Sequence, residues 1–563
     1  MKKVVLSAMA LMIGSLAFAQ SSTDPSAPGV QQATSLSPDP LANAVENTQS
    51  GVENYQLVRQ EGTASSVYID QSGGGTGIGN LIYVRQSGDV NGNQALSGED
   101  NRADVRQSGT ENEGFVRQEG DGNRAGMIQD ASVSQSIGYI RQGTGQNAED
   151  NYAGIEQSNG TNNSAWIQQT YDNSEALTLQ NGSNHQALTT QNANPNNSDG
   201  HNARVEQNGD GQMSYVDQEG SNGQADVLQN GAGNYSDVQQ SGGGAIVATN
   251  DADVDQNGTG NKSFINQSDK ENASVVSQDG GLNKSHVIQS GVGANASNVR
   301  QLGDRNYARQ DQVNGTAGSG SNLAQINQGD VTNAVALSPN NALFNETNAI
   351  LNTLGGPLSS DGTVDNVAFQ NQDGSGNTAS SEQFADTAFG GIFAGYSKQV
   401  QTGNDNNAAV FQNYNDDNSQ TSFNDNNSAL QVQTGNSNTA GLIQVGSDHD
   451  AWMIQDGDDK ALAVQSGANN DLVTKQWEGA NFMEIGQQGT SNAVYAAQRG
   501  GQSFIGDQAG SNNVMEVLQV GPAMDAWETI DCDIPAEMQP MPLPGMQNLE
   551  IPDIDVPELC ADC

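Results

Sequence analysis

Residues 101–129 contain three consecutive copies of an eleven-residue pattern, and this repeat constrains the fold more than any other feature of the sequence. Each copy begins with Asn, carries a small residue and then an apolar residue at alternate positions, and ends with Gln. The Asn and Gln residues of the three copies are Asn101, Gln107, Asn112, Gln118, Asn123 and Gln129. A fixed period this short is typical of a solenoid, in which each repeat is stable only when its neighbours stack against it.

Each copy is predicted to form a strand followed by a turn. The four pattern positions alternate along the chain, so they share one face of an extended strand. The links between copies contain Gly109 and Gly120, which suit tight turns. The opposite face is predicted to point outward and carries Arg102, Asp104, Arg106, Glu113, Phe115, Arg117, Arg124 and Gly126. We therefore predict an all-β fold, a β-solenoid of strand–turn–strand coils with about 22 residues per coil, or two half-repeats.

The inward Asn and Gln residues determine how such coils stack. A buried side-chain amide is costly unless its donors and acceptors are satisfied. When coils stack in register, each amide meets an identical amide above and below, as in the Asn and Gln ladders of cross-β structures. The residues predicted to form this stacking ladder are Asn101, Gln107, Asn112, Gln118, Asn123, Gln129, Gln207, Gln218, Gln229, Gln240, Gln256, Gln267, Gln278, Gln289, Gln433, Asn438, Gln444, Gln455, Gln476 and Gln487.

The first 19 residues have the features of a secretory signal peptide. Lys2 and Lys3 precede an apolar run, and Ala17 to Ala19 form a small-x-small cleavage site. The run is too short, and its flank too polar, for a membrane anchor. We expect export through the Sec route and no integral association with a membrane.

The repeat and the prolines indicate the boundaries along the chain. The period runs from Asn54 to Gln519, which predicts roughly 21 coils, and it fails in a segment that contains Pro339 and Pro357. No proline falls within a periodic strand, as expected for central strands. The predicted organisation is a signal peptide (1–19), a flexible leader (20–52), a repeat solenoid (53–335), an interruption or hinge that splits the solenoid (336–363), a second repeat solenoid (364–520) and a Pro-rich acidic tail with cysteines (521–563).

The charge of the chain excludes one large class of partners. Its formal net charge is −46, so phosphate backbones would be repelled and nucleic-acid binding is disfavoured. Copies of such a chain also repel one another. Association therefore requires stacking energy, counter-ions or a template.

Candidate catalytic and metal-binding residues are few. His185, His201 and His449 stand at the Asn position of the repeat, and His286 is an outward residue, so the repeat accounts for all four histidines. We predict no enzyme, no cofactor and no catalytic or metal site. The acidic turns at 404–406 and 415–418 offer weak oxygen ligands for Ca²⁺, but they lack the regular spacing of calcium solenoids, which favours solvated turns.

The only cysteines are in the tail, at Cys532, Cys560 and Cys563. With three cysteines and no nearby His, a zinc site is disfavoured. In an exported protein we expect either one disulfide with a spare thiol or cross-links between molecules, and the pairing stays open.

The recurring motif Gln-x-Gly-x-x-Asn-x-Ala-x-x-x-Gln resembles the curlin repeat of bacterial curli subunits. It is seen at Gln433, Gly435, Asn438, Ala440 and Gln444, and with Ser for Ala between Gln278 and Gln289. The resemblance implies secretion through a dedicated outer-membrane export pore, a nucleator, other curli-type subunits as partners, and assembly into extracellular functional amyloid. The chain departs from the family in its greater length, its interruption and its tail.

These observations predict a secreted structural protein that self-assembles by template-directed stacking into curli-like fibres. Such fibres would serve the biofilm matrix, adhesion and surface attachment, as a fimbrium-like cell-surface structure. The alternatives are a monomeric, capped β-solenoid adhesin or ligand-binding surface protein, and a minor or nucleator subunit of the fibre.

Overall fold

A computed structural model describes residues 43–73, 79–87, 100–143, 148–193, 200–242, 249–314, 320–329, 363–364, 366–383, 395–413 and 427–521. Within these ranges the chain is all-β, as predicted, and contains no helix that could span a membrane. The predicted signal peptide, residues 20–42 of the leader, the interruption up to residue 362, the turn at 415–418 and the cysteines of the tail lie outside the described residues.

Short parallel strands follow one another along the described chain. Up to Ala193 they are β1 (Ala44–Gln49), β2 (Tyr55–Gln60), β3 (Ser66–Gln71), β4 (Leu81–Ser87), β5 (Arg102–Gln107), β6 (Glu113–Glu119), β7 (Arg124–Gln129), β8 (Ile137–Gln142), β9 (Tyr152–Ser158), β10 (Ser164–Thr170), β11 (Glu175–Ser183) and β12 (Gln186–Ala193).

The strands from Asn202 onward are β13 (Asn202–Asp210), β14 (Met213–Gly220), β15 (Gln224–Ala232), β16 (Tyr235–Ser241), β17 (Asp251–Thr259), β18 (Lys262–Ser268), β19 (Asn272–Gly281), β20 (Lys284–Gly291), β21 (Asn295–Asp304), β22 (Tyr307–Asn314), β23 (Asn322–Gln328), β24 (Thr363–Val364), β25 (Val367–Asp373), β26 (Thr378–Gln383), β27 (Tyr396–Thr402), β28 (Asn407–Asn413), β29 (Ser428–Thr434), β30 (Thr439–Ser447), β31 (Asp450–Asp456), β32 (Lys460–Ala468), β33 (Asp471–Trp477), β34 (Phe482–Thr490), β35 (Ala493–Arg499), β36 (Ser503–Ser511) and β37 (Val514–Val520).

The chain divides into two compact units. Unit 1 is the described part of Met1–Gln191 with Ala203–Glu206, and unit 2 is the remainder of the described chain. In unit 1, β1-β3-β5-β7-β9-β11 form one parallel series and β2-β4-β6-β8-β10 form another. Alternate strands thus belong to opposite sheets, which is the two-strand coil that the period predicts.

Unit 2 repeats this arrangement without a break at the predicted interruption. β15-β17-β19-β21-β23-β26 continue to β36 in one series, and β14-β16-β18-β20-β22-β25 continue to β37 in the other. β22 pairs directly with β25 and β23 with β26, across residues 330–362. The strands before and after this segment therefore belong to the same two series, and the register of the stack is kept between them.

The coils are fewer than expected and begin earlier. Apart from β24, the described strands form 18 pairs, against the 21 coils predicted, because some links are long: Gln71 and Gln107 are 36 residues apart and yet hydrogen-bonded. The predicted leader contains β1, which pairs in register with β3. Its repeat is disguised because Val45 and Asn47 occupy the small and apolar positions.

A narrow apolar core lies between the two sheets of each unit. Ala103, Val105 and Met127 of β5 and β7 are at most 1% exposed, and Val116 and Ile140 of the opposite sheet are fully buried against them. The turns close this core with stacked glycines. Gly231 has φ of +108°, and a Cβ there would lie 2.1 Å from the carbonyl oxygen of Gly258 in the next coil, so no larger residue fits.

Candidate functional site

Two columns of Gln side chains run through unit 1, one on each sheet. In every step the Nε2 of one Gln donates to the Oε1 of the Gln in the next coil, over 2.6–3.2 Å. The first column contains Gln49, Gln71, Gln107, Gln129, Gln157 and Gln180, and the second contains Gln60, Gln86, Gln118, Gln142, Gln169 and Gln191.

Unit 2 has two longer columns with the same geometry, with steps of 2.7–3.3 Å. One column contains Gln207, Gln229, Gln256, Gln278, Gln301, Gln328, Gln383, Gln412, Gln444, Gln465, Gln487 and Gln508. The other contains Gln218, Gln240, Gln267, Gln289, Gln312, Gln372, Gln401, Gln433, Gln455, Gln476, Gln498 and Gln519.

Most of these Gln side chains use their second amide proton to join the two sheets. Gln118 Nε2 also donates to the main-chain oxygen of Arg102 over 3.0 Å, and Gln433 Nε2 to that of Asn407 over 2.9 Å. The columns are also polar, because the donor always precedes the acceptor in sequence. The columns of unit 1 therefore begin with an Oε1 that accepts from no Gln, at Gln49 and Gln60. The columns of unit 2 end with an Nε2 that meets no further Gln among the described residues, at Gln508 and Gln519.

The Asn columns differ from the prediction that each amide meets an identical amide. Asn123 donates its main-chain N–H to Asn101 Oδ1 over 3.1 Å, and its Nδ2 donates to the main-chain oxygen of Ala148 over 2.8 Å. Direct amide pairs occur only at some steps, such as Asn438 Nδ2 to Asn406 Oδ1 at 3.1 Å. The Asn side chain is one methylene shorter than that of Gln, so its amide reaches the main chain of the neighbouring turn. The Asn residues therefore hold the turns of adjacent coils together.

All twenty residues predicted for the ladder lie in these columns, and each is at most 3% exposed. The structure does not bring them together at a single place. It distributes them along the two sheets of each unit, so the candidate site is a repeated one whose unit is one coil.

Histidines replace Asn within the columns without disturbing them. His449 Nδ1 accepts from the main-chain N–H of Asn470 over 3.3 Å, and its Nε2 lies 3.1 Å from the main-chain oxygen of Val445. These are the two contacts that an Asn amide makes, so the neutral ring with its proton on Nε2 fits. Burial lowers the pKa of His449 and of His201 to about 4. His286 is outward, with its ring 4.7 Å from that of Phe264.

A third Gln column in unit 2 was not predicted. Gln310, Gln370, Gln399 and Gln431 stand at the inward apolar position, are at most 1% exposed and donate to one another over 2.9 Å. Each also donates to the opposite sheet, as Gln399 does to the main-chain oxygen of Ser380 over 2.9 Å. The signal is a Gln two residues before each ladder Gln, a Gln-x-Gln motif that recurs in four strands.

Three residues of the predicted outward face, Asp104, Phe115 and Gly126, are nevertheless buried. Asp104 Oδ2 accepts from Arg106 Nη2 over 2.6 Å, and the ring of Phe115 lies 6.3 Å from that of Tyr139 in the next coil. Because equivalent outward residues recur at about 4.8 Å, large side chains on adjacent strands cover one another.

Acidic residues cluster on the first strands of unit 2. Burial, followed by the neighbouring carboxylates of Asp226, Asp251 and Asp255, raises the pKa of Asp253 to about 7. Burial likewise raises the pKa of Asp251 and of Asp237 to about 6. This region therefore carries less negative charge near neutral pH than its composition suggests.

The described acidic turn at 404–406 does not gather metal ligands. Asn404 Oδ1 accepts from the main chain and the hydroxyl of Ser375, over 3.1 and 2.8 Å. Among the residues that the structure describes, no group of three or more His, Cys, Asp or Glu side chains is placed to hold a metal ion.

Comparison with known families identifies the repeat. Residues 98–136, which include β5, β6 and β7, match the family model described as the curlin associated repeat. This stretch contains curlin repeats. A search among curated proteins gave no match. Curlin repeats are structural rather than enzymatic, and the matched residues contain the Gln107, Gln118 and Gln129 steps of the ladder, which recur throughout both units.

Proposed function

We propose that this chain is a secreted structural protein whose curlin repeats polymerise by template-directed stacking into extracellular fibres. The observation that carries the proposal is the pair of open sheet edges at the first and last described strands. At one edge the inward Val45 of β1 is 42% exposed. At the other edge the inward Phe504, Met515 and Val517 are only partly buried against the core, whereas equivalent residues inside the stack, such as Ile485 and Val494, are at most 1% exposed. No described residue covers either edge, and open edges recruit further strands.

The two edges are complementary in their hydrogen bonding. The Gln columns of unit 2 end in amide donors at Gln508 and Gln519, and those of unit 1 begin with amide acceptors at Gln49 and Gln60. A second copy can therefore extend each column only head to tail. An incoming chain gains main-chain pairs, Gln pairs and buried apolar positions in one step, so an ordered end acts as the template.

The surroundings of such a fibre are also part of the proposal. The sequence supports Sec-dependent secretion, and the curlin repeat supports an extracellular location, an export pore, a nucleator and other curli-type subunits as partners. Adhesion and a role in the biofilm matrix follow from these. The chain acts as a fibre-forming subunit. If it also supplies the first template on which other chains stack, it acts as the nucleator.

Fibre diffraction and seeding test the proposal. Purified full-length chain, incubated and aligned, should give a meridional reflection at about 4.7–4.8 Å. Sonicated fragments of these fibres should abolish the lag phase before freshly purified chain assembles. A monodisperse monomer that persists at high concentration with and without seeds would contradict the proposal and favour a capped adhesin.

A further inference from the structure

The outward surface of β2, β4, β6, β8 and β10 in unit 1 carries two adjacent columns that differ from the rest of this acidic chain. The strands pair in register, so equivalent residues stack. One column consists of Leu57, Tyr83, Phe115, Tyr139 and Trp166, and the other of Arg59, Arg85, Arg117 and Arg141. We call this surface the arginine–aromatic face. The ring of Tyr139 lies 4.4 Å from that of Trp166.

Only alternate arginines of this face have a carboxylate on their own strand. Arg59 pairs with Glu61 over 2.5 Å, and Arg117 pairs with Glu119. Arg85 and Arg141 are followed at the same position by Ser87 and Gly143. The Nε atoms of Arg85 and Arg141 are buried and have no hydrogen-bond acceptor in the described chain.

The two arginines without a carboxylate define a spacing. β4 and β8 are separated by one strand, so Arg85 and Arg141 recur at about 9.6 Å along the stack. A matching partner presents two anionic groups at that distance. It also presents apolar groups beside them, because the aromatic column runs parallel to the arginines. Next to the face, a cavity of about 470 Å³ is lined by Tyr55, Leu81 and Ile137, among others.

The acidic tail of the chain has this pattern. Residues 521–563 contain no Lys or Arg, and the stretch 550–558 reads Glu-Ile-Pro-Asp-Ile-Asp-Val-Pro-Glu. Its prolines favour polyproline II, in which every third residue falls on one edge and recurs at about 9.3 Å. Glu550 and Asp553 then share one edge, and Ile551, Ile554 and Pro557 share the next. Proline-rich segments dock on aromatic surfaces in this conformation.

We propose that residues 550–558 of one copy dock on the arginine–aromatic face of the next copy, with Glu550 and Asp553 against Arg141 and Arg85 and the apolar edge on the aromatic column. This inference rests on the head-to-tail stacking proposed above. That stacking brings the end of β37 in one copy next to β1 and β2 of its neighbour. The residues between Pro522 and Glu550 span up to about 85 Å as polyproline II, which is ample. The tail then fastens the junction between copies.

Intermolecular photo-crosslinking tests the docking. A benzophenone-bearing amino acid replaces Ile554 in isotopically heavy full-length chain, which is co-assembled with light full-length chain and irradiated. Mass spectrometry should find heavy tail peptides joined to light peptides from β4, β6 and β8. Arg85→Gln with Arg141→Gln in the light chain should lower this yield about tenfold, as expected when two charge pairs are lost.

Matched variants separate docking from general charge. Arg102→Gln with Arg124→Gln makes the same change in charge on the other sheet of unit 1 and should leave the yield unchanged. Arg85→Glu with Arg141→Glu should abolish the cross-links, and Glu550→Arg with Asp553→Arg in the heavy chain should restore them.

Three results would overturn the docking. The first is equal cross-link yields for the two pairs of Arg→Gln substitutions. The second is cross-links that join heavy tail peptides only to heavy peptides, and the third is no recovery of cross-links when the charges are swapped. The reflection at about 4.7–4.8 Å, recorded on the same samples, shows which proposal has failed. If it persists while the cross-links are absent, only the docking is wrong. If no fibres form, both proposals are wrong.

Discussion

At the scale of single residues, the difference between Gln and Asn explains how a polar interior is tolerated. Gln reaches the equivalent amide of the next coil and still has a proton for the opposite sheet. Asn reaches mainly the main chain of the neighbouring turns and pairs directly with another Asn only at some steps. The Gln columns are thus satisfied by partners in neighbouring coils, which exist only if the coils stack, and an unsatisfied buried amide costs about 1–3 kcal/mol.

Adjacent residues of β10 provide a direct test of this assignment. Gln169 is fully buried and donates to Gln191, whereas Gln168 points outward. Gln169→Leu leaves partners in two neighbouring coils unsatisfied and should destabilise the folded chain by about 2–4 kcal/mol. Gln168→Leu should change stability by less than about 1 kcal/mol. Denaturant melts of the two variants measure the difference, and equal losses would contradict the inward assignment.

Buried histidines give the stack a pH dependence of known sign. The folded-state pKa of His449 is about 4, below the ordinary 6.5, so the unfolded chain binds the extra proton first. The contribution of His449 to stability is present above pH 6.5 and is lost as the pH falls to about 4, by roughly 3 kcal/mol in total. His449→Asn should therefore be more stable than the parent at pH 4.

The raised pKa values of Asp237, Asp251 and Asp253 act in the opposite direction, because they favour the folded state as the pH falls through 7 and 6. The prediction for His449 is therefore tested by the difference between variant and parent, measured by denaturation at pH 7.5 and at pH 4. A difference that does not change between the two pH values would contradict it.

At the scale of the strand and its turn, glycine sets how closely coils approach. Gly258 has φ of +120°, and a Cβ there would lie 2.0 Å from the carbonyl oxygen of Gly280. Gly233 has φ of +62° with no atom within 4 Å of an added Cβ. Asn and Asp occupy similar left-handed positions elsewhere, at Asn222 and Asp405.

These two glycines form a matched pair. Gly258→Ala should destabilise unit 2 by about 2–4 kcal/mol, because the main chains of two coils must separate. Gly233→Asn should be within about 1 kcal/mol of the parent, since Asn tolerates the left-handed region. Thermal denaturation of both variants measures the difference. A Gly258→Ala chain with the same melting temperature as the parent would contradict the close stacking of these turns.

The same scale shows what the sequence predicts and what it does not. The period places Ala103, Val105 and Gln107 on the inward face without ambiguity, because alternation in a strand admits one solution. It misses β1, where Val45 and Asn47 depart from the pattern, and it misses Gln310, because a Gln at the apolar position is satisfied only by equivalent residues in neighbouring coils. The pairing of β23 with β26 depends on contacts across a long link, which no local pattern reports.

At the scale of the whole molecule, growth depends on the last coil. Val517 lies at an inward position of β37, where it packs against the core and is only partly buried. Val514 points outward and is 66% exposed. Val517→Lys places a charge where the next copy must bury it and should stop elongation at that end. Val514→Lys should elongate normally.

Seeded growth measures this effect. Fragments made from parent fibres are supplied with each variant, and incorporation is followed over time, while the strand content of each monomer is checked by circular dichroism. Normal elongation by Val517→Lys would show that the last coil is not the growing surface.

A cryo-electron microscopy reconstruction of the fibre at side-chain resolution tests the central claim most directly. The account predicts that the Gln columns pass from Gln508 and Gln519 of one copy to Gln49 and Gln60 of the next, with rungs about 4.8 Å apart. A fibre in which these amides face water, or in which the copies are separate globules joined side by side, would contradict it.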